Sequence, residues 1–128
     1  MSALAPGLQG SHRAIVGDTD TAIAMGSGSV PVLATPRLVA WLEAAAVAAL
    51  EGVLPVGSTS VGTHIDIRHL AATAVGKTVE ANATVISTDG RTVEFDLAAT
   101  DDTATIAAGR HVRVVVDEER FVSRLRPA

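Results

Sequence analysis

Thr35, Glu43 and His69 are the residues whose types and spacing invite chemistry. In TPRLVAWLEAAAVAAL (35–50), one carboxylate, Glu43, stands in a run whose core is aliphatic, Ala or Trp. Helical spacing sets it beside Val39 and Val47, four residues away, and Ala40 and Ala46, three away; none of these can neutralise it. An unpaired carboxylate taken out of water is costly, and a chain that keeps one commonly uses it. Exposure along a single solvated stripe of the helix is the competing explanation. In THIDIRH (63–69), alternation places Thr63, Ile65, Ile67 and His69 on one face of a strand, with His64, Asp66 and Arg68 on the other. The two isoleucines mark the core face, so His69 points toward the layer that the helix covers. A lone inward histidine is usually a satisfied structural group. Here a misplaced imidazole and a misplaced carboxylate share one layer, which is the equipment of general acid–base or nucleophilic catalysis. Thr35 precedes Pro36 at the head of the helix, where Thr suits the N-cap and Pro the first helical position. That structural role alone explains Thr35; turned toward a pocket, its hydroxyl would also orient the acid or a water.

The elements that must position these groups follow from periodicity. SHRAIVG (11–17) and TAIAMG (21–26) read as short strands around the turn-like Asp18-Thr19-Asp20, and GSGSVP (26–31) as a flexible break. The helix runs from Thr35 to about Glu51 and stops at Gly52. Four alternating segments follow at 58–70, 77–87, 91–101 and 104–117, with Asp89-Gly90 as a hairpin signal. One sheet face carries Val79, Ala81, Ala83, Val85, Val93, Phe95, Leu97 and Ala99; the other carries Glu80, Asn82, Thr84, Glu94 and Asp96. A sheet apolar on one side needs a cover, and the helix is the candidate. The expected fold is therefore α+β, an antiparallel sheet wrapped around one long central helix, the hotdog arrangement. Long strands leave exposed edges, so a homodimer formed by edge pairing is expected.

Bulk composition narrows the function. The 128 residues fit a single domain over 1–128, with residues 1–10 as a loose leader and the charged tail EERFVSRLRPA as a last turn or helix. Hydrophobic residues make up 48% of the chain and aromatics 2%, so the core must be built from Val, Ile, Leu and Ala. A net charge of −4, without a basic stripe or stacking aromatics, disfavours nucleic acid. With no Cys, no signal-peptide pattern and no apolar run long enough to span a bilayer, a cytoplasmic protein without membrane association is expected. No metal site is expected: Arg68 opposes a cation beside His64 and Asp66, and His12 and His111 have no informative spacing.

Several separate motifs together resemble the fluoroacetyl-CoA thioesterase-like group of hotdog thioesterases. They are Ala34-Thr35, the spacing of eight from Thr35 to Glu43, VGTHIDIRHLAATAVG (61–76) and GRHVR (109–113). The resemblance covers roughly residues 15–120 and implies a dimeric hotdog fold that hydrolyses acyl-CoA thioesters with no metal or organic cofactor beyond the coenzyme A of the substrate. It maps the family's Thr, helix Glu, Gly-Thr, strand His and late Arg onto Thr35, Glu43, Gly62, Thr63, His69 and Arg113. The fluoroacetate-specific member bears aromatics in the lid before its Thr; the segment here, GSGSVPVL, has none, so fluoroacetyl selectivity does not carry over. On this reading Glu43 is a general base on water or a nucleophile at the carbonyl, and His69 positions it, polarises the thioester or assists the departing thiolate. Backbone N–H groups near Gly62 would stabilise the oxyanion; a strand bulge at Gly62 is an equally compatible role. Arg113 binds a CoA phosphate, shapes the pocket or lies at the surface, with Lys77, Arg110 and His111 as weaker phosphate candidates.

Two other functions fit the same fold. A non-catalytic acyl-CoA-binding module has no need of a buried acid. An enoyl-CoA hydratase of this fold uses an Asp five residues before a His, whereas Asp66 and His69 are three apart on opposite faces.

Overall fold

The computed structural model describes residues 3–125. Its strands are β1 (Gln9–Ile15), β2 (Ser58–His69), β3 (Thr78–Thr88), β4 (Thr92–Thr100) and β5 (Thr105–Asp117). Its helices are α1 (Ala22–Met25), α2 (Thr35–Ala49) and α3 (Glu118–Ser123), with a 3₁₀ turn at Asp18–Asp20. The strands form one antiparallel sheet in the order β1-β3-β4-β5-β2, so β1 and β2 are its edges. The sheet curls around α2, which packs chiefly on β1 and β3. This is the expected hotdog fold.

The core is the one that alternation marks. Val79, Ala81, Ala83 and Val85 of β3 and Val93, Phe95, Leu97 and Ala99 of β4 are buried, beneath Leu38, Leu42, Ala45, Ala46 and Ala49 of α2. Their small volumes let backbone approach backbone. A Cβ on Gly10 of β1 would collide with main-chain atoms of Ala45, Ala48 and Ala49. One on Gly109 of β5 would collide with Asp66 and Ile67 of β2. Asp89 accepts backbone N–H groups from Arg91 and Thr92 in the β3–β4 turn, and Gly90 takes the left-handed conformation at φ 93°.

Four expectations are corrected. TAIAMG is not a strand: Thr21 caps the one-turn α1 and Gly26 closes it in the left-handed region. Thr35 is not the N-cap; Ala34 is, and Thr35 is the first helical residue. Thr63 does not share a face with Ile65, because the β2–β5 register shifts between Gly62 and His64. Thr63 is thus the extra residue of a bulge, exposed, with its hydroxyl on the Val112 carbonyl. The leader is not loose from Leu4 onward: Leu4 is buried in the core, Gly7 donates to Val85 and Leu8 accepts from it. Met1, Ser2 and the tail residues 126–128 lie outside the described residues. Among those described, no helix is long and apolar enough to cross a membrane.

Gly10→Ala tests the close approach of β1 to α2. The methyl meets backbone that has no side chain to swing away, so a loss of about 1–3 kcal/mol is expected, seen as a lower urea midpoint at unchanged slope. An unchanged midpoint would contradict this packing.

Candidate active site

Helix α2 is apolar on nearly every side, but its own sheet covers only one. Ala40 and Val47 flank Glu43 on the uncovered side, Val47 with 50% of its surface accessible. The Glu43 side chain is 39% accessible and is not unpaired: its Oε1 lies 3.4 Å from Nη1 of Arg113. The helix itself offers no partner; the cation arrives from β5, seventy residues later.

Arg113 is buried, not a surface arginine, and every guanidinium nitrogen is engaged. Nε donates to the Ser60 hydroxyl at 2.8 Å and Nη2 to the Ser60 carbonyl at 3.0 Å. Nη1 serves both Glu43 and Nε2 of His111, the latter at 3.2 Å. Burial lowers the Arg113 pKa and the Glu43 carboxylate opposes that shift. His111 is also buried, its ring stacked on Phe95 with centroids 5.9 Å apart. Its Nδ1 lies 2.7 Å from the His64 carbonyl. Burial pushes the His111 pKa down, aided by the Arg113 cation; the His64 carbonyl and Glu43 act the other way.

Gly62 roofs this cluster. A Cβ there would come within 2.5 Å of Glu43 Oε1, 3.1 Å of His111 Cε1 and 3.3 Å of Arg113 Nη1. The bulge at Thr63 turns Gly62 inward, opposite Arg113 in the β2–β5 ladder.

Thr35 and His69 form a second group. Thr35 Oγ1 lies 2.8 Å from His69 Nδ1. The connection before α2 holds them together: Leu33 donates to the Thr73 carbonyl, and Val32 bridges to Ala74 just past the His69 loop. The pair opens on a cavity of about 390 Å³ lined by Gly28, Val30, Val32, Leu33 and Ala71 as well. His69 Nε2 is buried without a hydrogen-bond partner. Burial pushes the His69 pKa down, against an opposing effect from the Ala71 carbonyl.

The structure thus brings Glu43, Gly62 and Arg113 together, and Thr35 and His69 together, in one chain. Eight helical residues, about 12 Å of rise, separate the starting points of the two groups. Thr63 stands at the bulge beside Gly62, exposed, with its hydroxyl spent on the Val112 carbonyl. Sequence reasoning gave His111 only a weak part, as a phosphate candidate and not as a partner of Arg113, and passed over Ser60. For His111 a signal existed, since it shares the period-two face of Arg113 in GRHVR; for Ser60 the partner is visible only once β2 and β5 are paired.

An antiparallel sheet wrapped on one long helix defines a protein of the hotdog class. A Thermus thermophilus hypothetical protein of the thioesterase superfamily has the same fold, with a TM-score of 0.88 at 23% identity over 96% of this chain and 91% of that one. The chain belongs to the fluoroacetyl-CoA-specific thioesterase family, which it matches over residues 16–119. It is 37% identical over 95 residues to the fluoroacetyl-CoA thioesterase of Streptantibioticus cattleyicolor, covering 74% of this chain and 68% of that protein. A solved fluoroacetyl-CoA thioesterase superposes with a TM-score of 0.89 at 30% identity, over 97% of this chain and 98% of the other.

Two predictions follow from the geometry. Gly62→Ala should fold, because the methyl meets the movable end of Glu43 and not backbone. It should push the carboxylate off Arg113 and lower kcat by about 100-fold in a thioester assay; wild-type turnover would show that the close approach is irrelevant. The second concerns pH. His69 and His111 titrate below their usual 6.5 when folded, so the unfolded chain binds more protons as pH falls through that value. At fixed protein concentration the urea midpoint should hold above about pH 7 and fall from about pH 6.5 downward. A midpoint that rises on acidification would contradict the burial of both rings.

Proposed function

We propose that the chain hydrolyses an acyl-CoA thioester to a free acid and CoA, with Glu43 as the acting carboxylate and Thr35 and His69 as its supports. The observation that carries this reading is the partly buried Glu43, held by a buried arginine against a glycine that leaves its oxygen open. A carboxylate fixed in this way can take a proton from water or add to the carbonyl directly. His69 offers an unpartnered Nε2 beside a cavity, the position from which an imidazole polarises a carbonyl or protonates a departing thiolate.

Two copies of the chain would share each site. One chain's Glu43 and His69 belong to separate groups, and β2, which carries Gly62 near its middle and His69 at its end, is a free sheet edge. Antiparallel pairing of β2 with its own copy about that middle sets the end of one strand beside the start of the other. In that dimer we assign Thr35 and His69 of one subunit to the same site as Glu43 of the partner subunit. The same pairing satisfies the edge and covers the apolar side of α2 around Val47. In this reading the chain's own side chains suffice, without a metal or organic cofactor, and the reaction runs in the cytoplasm.

The test is thiol release across short, branched, aromatic and long acyl-CoAs, with Glu43→Ala and His69→Ala beside the wild type. Loss of about 100-fold or more in kcat is expected for both variants. Wild-type rates in both would reject the assignment. Binding of CoA esters without turnover by the wild type would make the chain an acyl-CoA-binding module. The same panel reads the acyl preference.

A further inference from the structure

We propose that His111 is a positioning residue for Glu43: its neutral ring, anchored on the His64 carbonyl, accepts a hydrogen bond from Arg113 and so aims the guanidinium at the carboxylate. The inference rests on Glu43 being the acting group.

Hydrogen-bond polarity fixes the form of the ring. Nδ1 lies 2.7 Å from the His64 carbonyl oxygen, which can only accept, so Nδ1 carries the proton. Nε2 lies 3.2 Å from Arg113 Nη1, which can only donate, so Nε2 presents its lone pair. A protonated ring would place a second N–H against the guanidinium, with like charges in contact. The titratable groups facing His111 are Arg113 on its own strand, Glu43 on α2 and His64 on β2. Neutral Nε2 stands 3.7 Å from Glu43 Oε1, beyond hydrogen-bond reach, so the ring acts on the carboxylate through Arg113 and not directly.

The arrangement explains why a charged side chain can be buried at this point and still point outward. Ser60 takes two edges of the guanidinium through Nε and Nη2, and His111 takes one N–H of Nη1. Nη1 has one N–H left, and its direction is set; Glu43 lies along it. Phe95 fixes the plane of the ring from behind. Without the acceptor at Nε2, Nη1 would have two free N–H bonds, and the carboxylate could follow either.

Three variants separate this role from simple packing. In His111→Gln the side-chain carbonyl can replace the Nε2 acceptor. In His111→Asn the shorter amide reaches the His64 carbonyl but not Arg113. His111→Leu keeps bulk and loses both. Gln should retain kcat within about threefold, while Asn and Leu lose about 10- to 100-fold with KM nearly unchanged. Equal kcat in Gln, Asn and Leu, whether high or low, would overturn the proposal. A second readout needs neither variants nor turnover: nitrogen-15 NMR of wild-type histidines at pH 7 should show His111 protonated at Nδ1 and bare at Nε2. An imidazolium, or the opposite tautomer, would overturn it. A wild type that releases no thiol from any ester refutes the hydrolase reading instead, and the NMR result still decides the form of the ring.

Discussion

The contact between Arg113 and Glu43 governs the rest of this structure. A carboxylate in the middle of an apolar helix is tolerated because a cation reaches it from the far strand of the sheet. That cation is in turn tolerated in the interior because Ser60 and His111 occupy its remaining donors. Remove any member and a polar group is left buried without a partner, which is the expensive outcome in a low-dielectric site. The local backbone is shaped around this contact. Gly62 has no side chain because one would strike the carboxylate, and the adjacent bulge at Thr63 turns Gly62 inward.

The other half of the site is built with different means. Thr35 sits in the first turn of α2, released from capping because Ala34 occupies that position, and its hydroxyl is spent on His69. The loop before the helix is pinned to the loop after β2, so hydroxyl and imidazole are held by two short backbone bridges instead of a core. A buried ring nitrogen with no partner and an apolar helix side left uncovered lie on the same account: both call for a surface that one chain does not supply. In the proposed dimer, edge pairing of β2 would supply it and would join the charged half-site at Glu43 to the half-site beside the cavity at His69.

Much of this was legible in the sequence, for physical reasons that can be named. Strands β3 and β4 alternate because one sheet face meets the helix and the other meets solvent, and Asp89-Gly90 announces the turn between them. The oddness of Glu43 and His69 was visible because each violates the pattern of its own element. TAIAMG misled because a helix of four residues is too short to display a period, so its caps at Thr21 and Gly26 decide its shape. Thr63 misled because a single inserted residue reverses the face of everything before it; Gly62 marked the place as open to a bulge but not which residue would be the extra one. The partner of Glu43 was hidden by distance along the chain. Only pairing β2 with β5 places Arg113 against Gly62, and only then does an arginine that could have been a phosphate ligand become the counter-ion of the helix acid.

Subunit complementation tests the shared site most directly. Glu43→Ala and His69→Ala chains, each nearly inactive alone, are unfolded together and refolded as an equal mixture. If each site takes its acid from one chain and its imidazole from the other, mixed dimers contain one doubly damaged site and one intact site. Thiol release should then recover to roughly a quarter of wild type. Recovery no greater than the sum of the two parents would contradict a site divided between subunits.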